Sequence, residues 1–356
     1  MLNPVLSQWL DTHAQALDLG ECDPQQVVAQ LASSGVLRVG ISHALGGSGG
    51  DLGDAIEAVA QVASHSLAAA FVFWGQRAFI EYLLQSPNAA LRERLLPLLL
   101  SGELAGATGL SNAMKFLSGI EALQVRARPE ASGWTLNGRL HWVTNLRKSG
   151  FVVAAAIEHE EGGSPFILAI PDDANGLQRS ADLQLMGLQS SNTAAIDFTQ
   201  VNVSREWLLH EDARAFLPAV RPAFLGLQCG LAIGLARRAL NEVQAHLKDG
   251  RSILTQPLLE QHQLLEQTVS ELKNGVLEGL FLAAPAALFR LRIALAESAA
   301  EAVQLELQSS GGKAYLSEHG SGFARRWRES AFVPIVTPSL VQLRAELQRQ
   351  DRESAA

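Results

Sequence analysis

Two side chains in the stretch Gly133 to Asn145, GWTLNGRLHWVTN, could do chemistry together: Trp142 and Thr144. They are two residues apart, and the period of a strand puts both on one face. That face offers a flat aromatic and, close by, a hydroxyl that donates or accepts. A planar heteroaromatic cofactor could stack on the first and hydrogen-bond to the second. The competing reading is a half-buried hairpin with Trp142 as a core residue. Asn137-Gly138 lies between the alternating runs Trp134/Leu136 and Leu140/Trp142/Thr144, and Asn-Gly predicts a type I′ turn joining two strands there. His141 belongs to the opposite face, away from any ring stacked on Trp142.

The elements that must position this stretch fall into three blocks. Residues 1–105 read as a helical domain. Asp23-Pro24 opens a helix striped by Val27, Val28 and Leu31, and Gly35 ends it. The dense glycines of Gly40 to Asp51 predict tight turns; without a Lys-Ser/Thr pair they do not make a nucleotide loop. Leu52 to Leu84 reads as two buried helices. Residues 106–210 favour strands, with Phe151 to Ile157 apolar throughout and so buried on both faces, and the spacing suggests a small sandwich or barrel. Residues 211–356 return to helix. Leu217 to Leu247 is one long pattern with Pro218 and Pro222 in its first turns, ended by Asp249-Gly250. Leu265, Val269, Leu272 and Val276 mark a bundle seam. The fold class is therefore α+β, mainly α, with a long-helix bundle at the carboxy-terminal side; such bundles often pack against another subunit.

The 356 residues are 47% hydrophobic and 18% charged, enough to fill a large core. A net charge of −8 gives nucleic-acid binding no electrostatic support. Cys22 and Cys229 have neither metal-ligand nor disulfide-framework spacing, which fits a reducing cytosol. No secretory signal or membrane span is read, so a cytoplasmic location is expected.

The order helices, β domain, long helices is uncommon, and the local motifs agree with one source. The chain resembles the acyl-CoA dehydrogenase family of flavoproteins over nearly its full length. Gly46-Gly-Ser-Gly-Gly-Asp-Leu52 resembles the family's glycine-rich turn, and Leu98 to Leu104 the helix end before its β domain. Leu136-Asn-Gly138 with Trp142-Val-Thr-Asn145 is similar to its flavin-contacting hairpin. Gly234 to Leu240 resembles its first long bundle helix. Gly311-Gly312 and the Arg325 to Glu329 run resemble the glycine turn and Arg-acidic pair after its third. The resemblance implies FAD, with Trp142 against the isoalloxazine, Thr144 near its reactive nitrogen and Thr108 close to the ring. It implies that Gln308, Gly311 and Gly312 lie by the adenine half of a neighbouring subunit's FAD, and that Arg251 meets the pyrophosphate. Arg221 would lie near substrate, as would Ser111 on the substrate loop. The partners implied are an acyl-CoA or acyl-thioester substrate, an electron acceptor or flavin reductase, and further copies of the chain in a homodimer or homotetramer.

The departures from that pattern bear on the chemistry. The family removes the α proton of its substrate with a Glu carboxylate while the β hydrogen leaves as hydride to flavin. Val336, in Ile335-Val-Thr-Pro-Ser339, falls at that Glu. Val220 falls at the alternative base position before Arg221. Neither takes a proton. The substrate loop reads Thr108-Gly-Leu110 and Ser111-Asn-Ala-Met114, and Arg251 is followed by Ser252-Ile-Leu254 rather than the family's Thr-Phe-Gly. Glu329 reads as a salt-bridge partner of the nearby arginines, His319 as an exposed or capping histidine, and His262 as a seam residue; no catalytic base is assigned. Three readings follow. The first is an FAD-dependent oxidoreductase acting on an acyl thioester with a displaced or water-supplied base. The second is a monooxygenase of the same fold, using reduced flavin and oxygen. The third is a non-catalytic subunit or scaffold.

Overall fold

A computed structural model describes residues 2–117, 119–247 and 252–354. Five helices come first: α1 (Pro4–Leu19), α2 (Gln25–Ser33), α3 (Leu52–Ala63), α4 (Leu67–Gln85) and α5 (Ala89–Ser101). Their ends carry the expected chemistry. Asp51 caps α3 in a reciprocal capping box with Asp54, so the glycine run before it works as two tight turns and a helix start. Strands β1 (Ala105–Thr108), β2 (Val125–Glu130), β3 (Gly133–Val143), β4 (Phe151–His159), β5 (Phe166–Pro171), β6 (Leu177–Arg179), β7 (Ala194–Ser204) and β8 (Leu208–His210) follow, with the short helix α6 (Ser111–Leu117) after β1. The remaining helices are α7 (Ala213–His246), α8 (Thr255–Leu277), α9 (Leu280–Ala283), α10 (Pro285–Ser310), α11 (Ser321–Phe332) and α12 (Leu340–Ser354). Helix α7 starts earlier than Leu217, at the Asp212 cap, so Pro218 and Pro222 sit inside it. The proposed stop at Asp249-Gly250 lies outside the described residues.

The strands form one mixed sheet in the order β6-β7-β3-β2-β4-β5-β8, with β1 parallel to β4. It is hinged where β2 meets β4 through only two paired positions, Arg126 with Glu158 and Ala127 with His159. The two halves curl around a core that includes Trp134, Leu136, Ile157, Phe166 and Ile196. Strand β4 is buried on both faces, as its apolar run predicts: Val153 and Ala155 face this core, while Val152, Ala154 and Ala156 join the helical core. Helices α4 and α7 are long and apolar enough to cross a bilayer by length and composition, but their apolar surface is packed inside the fold, around Trp74, Phe79, Phe224 and Leu231.

The expected Asn137-Gly138 turn is not there. Strand β3 runs straight through it, and the hairpin with β2 turns at Ala131-Ser132. Asn137 instead supports an irregularity in the neighbouring β7, where Gln200 is an extra residue at φ 52. The Asn137 side-chain oxygen accepts from the Gln200 backbone N–H and from its Nε2. Gly138, at φ 140, lies so close to β2 that a Cβ would sit 2.2 Å from the Gln124 carbonyl oxygen. The glycine is required by a close approach between strands, not by a turn.

Candidate functional site

At the far end of β3 the pairing with β7 slips again. Leu140 pairs with Ile196 and Val143 with Ala194, so β3 carries one residue more than its partner. The extra residue is accommodated by Trp142 at φ 59, a conformation that costs a bulky side chain on the order of 1–3 kcal/mol. This bulge breaks the alternation on which Trp142 and Thr144 were placed on one face. The indole is turned outward, 64% exposed, while Val143, Thr144 and Asn145 are buried. The two residues still meet around one space, because the chain after the bulge turns inward and Thr144 bridges to Thr108 at the end of β1.

That space is a cavity of about 510 Å³, within the range of small-molecule and cofactor sites. Trp142, Thr144, Thr108 and Ser111 all line it. The hydroxyls are ordered by one another. Thr108 Oγ1 lies 2.8 Å from the buried Tyr82 hydroxyl, Thr144 Oγ1 lies 3.2 Å from Thr193 Oγ1, and Thr193 lies 2.8 Å from Ser191 Oγ. Tyr82 is held as the neutral phenol, since burial pushes its pKa far up. Below the row, Gln76 of α4 accepts from the Gly106 N–H and from Asn145 Nδ2 and donates to the Leu99 and Leu104 carbonyls. This buried amide ties α4, β1 and the end of β3 together and fixes Thr108 against Thr144.

The opposite walls come from elements distant in sequence. Phe71 and Trp74 of α4, with Phe332 of α11, make an apolar side, and Phe71 stacks on Trp74 and meets Phe332 edge-on. The Gln184 to Leu188 segment makes a second side. It is held by Asp18 of α1, whose carboxylate accepts from the Leu188 N–H at 2.8 Å and from Arg328 at 2.6 and 3.0 Å. Ile335, Val336 and Thr337 make the third. Val336, the residue that the resemblance sets at the family's Glu, is among those that line this cavity. Among the described residues no Asp, Glu, His or Cys lines it. Its charged groups are Arg328, already paired with Asp18, and Lys115, which lies 3.3 Å from Glu121.

The remaining residues singled out from the sequence lie elsewhere. Arg221 lines a separate, much smaller pocket beside Phe289 and Glu346; burial lowers its pKa and Glu346 offsets this. Gln308 and Gly312 are exposed at the end of α10, and Gly311, at φ 64, is half-buried there; none lines the cavity. Arg251 lies outside the described residues. Val220 is fully buried. Glu329 is buried 3.6 Å from Arg325 and accepts from the Leu67 N–H, so it is a structural carboxylate; burial raises its pKa, against the pull of Arg325. His319 and His141 are exposed, and neither lines the cavity. Sequence reasoning missed Thr193, Lys115, Tyr82 and the Gln184 to Leu188 wall. Two signals were present: the polar run Ser190-Ser-Asn-Thr193 just before a strand, and Lys115 as an isolated cation in an otherwise apolar stretch.

A family model for the acyl-CoA dehydrogenase N-terminal domain matches residues 4–103. A Mycobacterium tuberculosis protein described as a probable acyl-CoA dehydrogenase, FadE25, is 26% identical over 68% of this chain. The alignment spans 64% of that relative, a little under two thirds of its length. The whole-chain fold is that of a glutaryl-coenzyme A dehydrogenase solved with glutaryl-CoA, at TM-score 0.82, 18% identity, 98% of this chain and 94% of that one. The dibenzothiophene monooxygenase TdsC from Paenibacillus sp. A11-2 also shares it, at TM-score 0.77, 18% identity, 97% of this chain and 94% of that one. The chain is similar to the acyl-CoA dehydrogenase family in sequence and shares that family's fold over nearly its whole length. At these identities the two solved structures establish the shared fold, which serves both a dehydrogenase and a monooxygenase. The family is one of flavoproteins, so the cavity can be tested against a flavin. The donor set fits one: an exposed indole for a ring face, three threonine hydroxyls for a heteroatom edge, and apolar side chains opposite.

Proposed function

We propose that this chain binds FAD in the cavity between Trp142 and Val336 and works as a flavin-dependent oxidoreductase that uses no carboxylate base. FAD, when bound, supplies a two-electron carrier that exchanges hydride with organic substrates or, once reduced, electrons with oxygen. The chain's own residues do the rest. Trp142 covers one face of the ring. Thr108, Thr144 and Thr193 hydrogen-bond along its edge. Phe71, Trp74, Phe332 and Val336 exclude water and hold an apolar substrate part. Gln308, Gly311 and Gly312, which do not line the cavity, are proposed to meet the adenine half of a second subunit's FAD, which makes the working form a homo-oligomer, and Arg251 is proposed to meet the pyrophosphate.

The observation that carries the reading is a flavin-shaped donor set in a cavity whose described lining has no proton acceptor of the carboxylate or imidazole kind. Oxygenation by reduced flavin and molecular oxygen, with a reductase as electron source, needs no α-proton base and fits this lining best. A second reading, α,β-dehydrogenation of an acyl thioester with water as base, is supported by the names of the aligned relatives. Ser111 in the cavity lining and Arg221 in the small pocket that shares Lys115 with it would then meet the thioester.

Titration of the purified protein with FAD, followed by flavin fluorescence and absorbance, tests the cofactor. No uptake of FAD leaves only a scaffold role. Given uptake, anaerobic mixing with acyl-CoA esters of increasing chain length separates the two activities. Bleaching of the flavin establishes dehydrogenation. Oxygen consumption with a flavin reductase and an apolar substrate series, without bleaching, establishes oxygenation.

A further inference from the structure

The cavity wall that carries Val336 is a short segment, Val333 to Thr337, made of a single 3-10 turn (Val333–Ile335) and two further residues, with no sheet partner. Two side chains from the helical bundle hold it. Arg292 of α10 donates from Nη2 to the Val333 carbonyl at 2.8 Å, and from Nε to Gln228 Oε1 of α7 at 2.9 Å. Gln228 in turn donates from Nε2 to the Thr337 carbonyl at 3.1 Å. Both side chains are fully buried.

Arg292 has no carboxylate at ion-pair distance among the described residues, and its Nη1 is buried with no acceptor. A guanidinium taken out of water without a counter-charge is a standing cost of several kcal/mol. Stability alone would favour an apolar residue of similar volume here. What the charge gives in return is a rigid fork: two directed, charge-assisted bonds that reach one carbonyl of the segment directly and another through Gln228.

We propose that Arg292 and Gln228 are positioning residues that clamp the Val333 to Thr337 wall, and so set the shape of the space that FAD and substrate enter. The inference rests on the cavity being the flavin site only for its second readout. In the first, hydrogen exchange of the full chain is compared among wild type, Arg292→Met, Arg292→Lys and Gln228→Leu. Arg292→Met is expected to keep or raise the melting temperature, because it removes the unpaired buried charge. It is expected to raise exchange at least about tenfold in peptides covering 333–339 while the helical core stays protected. Lysine, which still donates, should restore most of the protection. In the second readout Arg292→Met weakens FAD binding by about tenfold, equivalent to a lost fixed contact, and Arg292→Lys recovers it.

Unchanged exchange in 333–339, or a rise spread evenly over the chain, overturns the clamp. Should Arg292→Met fail to fold, Gln228→Leu decides in its place, with loosening expected at Thr337 and its neighbours and protection there overturning the proposal. If wild type takes up no FAD, the exchange arm still stands or falls by itself, and only the flavin reading is lost.

Discussion

Trp142 holds an exposed indole at a positive φ next to three buried threonines, of which Thr144 and Thr193 bond to each other and Thr108 to Tyr82. A side chain so exposed adds little to folding, so its value lies in what covers it. Trp142→Ala should therefore leave the apo protein's denaturation midpoint within about 0.5 kcal/mol of wild type. The same change removes about 1 kcal/mol of ring stacking, which corresponds to a roughly fivefold rise in the FAD dissociation constant by fluorescence titration. Thr108 makes the opposite case. Its hydroxyl is the partner of the buried Tyr82 phenol at 2.8 Å. Thr108→Val strands that phenol and should cost about 1–3 kcal/mol in urea unfolding. Tyr82→Phe together with Thr108→Val should recover most of that loss, since the phenol is then no orphan and only the long 3.5 Å bond from the Leu110 N–H stays lost; a double variant no better than the single one would show that the stranded phenol costs nothing.

At the scale of elements, α11 is tied to the start of α4 by Glu329, which accepts from the Leu67 N–H beside Arg325. Burial raises its carboxyl pKa above the unfolded value, so the folded state binds the proton more tightly. The folded protein is then stabilised by this group below the unfolded pKa and loses that stabilisation as pH rises through the folded one. Urea midpoints of Glu329→Gln, which keeps the oxygen that Leu67 needs, should fall less steeply with rising pH over that window than those of wild type.

Elements were also where the sequence spoke most clearly and where it misled. Helix existence was legible from apolar stripes, and β4 from its unbroken apolar run, because burial on one or both faces dictates those patterns. The two irregularities of β3 were not. Asn137-Gly138 is chemically fit for a turn, and only the strands on either side, pressing Gly138 against Gln124, make it serve a close approach instead. The bulge at Trp142 leaves no local mark, since it is a mismatch in length between β3 and β7, far apart in the chain. Trp142, Thr144, Thr108 and Ser111 were found for the cavity through motif resemblance. Thr193 and the Gln184 to Leu188 wall were missed because tertiary contacts alone bring them there.

The cavity belongs to the whole molecule. Its lining runs from Phe71 to Thr337 in sequence, and Asp18 of the first helix holds one wall in place by binding both Leu188 and Arg328. No single element contains a binding surface for a ring; α4, the bulged end of β3, the loop before β7 and the segment after α11 must all be docked before the space exists. A ligand that fills it therefore binds the folded chain and not the unfolded one. By mass action FAD at a hundred times its dissociation constant should stabilise the fold by about 2.7 kcal/mol. Unfolding entropy of about 2.1 cal/mol/K per residue then converts this into a rise in melting temperature of about 4 °C. The rise should follow the logarithm of FAD concentration, and Trp142→Ala should displace that curve to higher concentration without changing its slope. Scanning calorimetry over an FAD series measures both. A melting temperature that ignores FAD while the chain stays folded would rule out FAD binding in this space and leave the scaffold role.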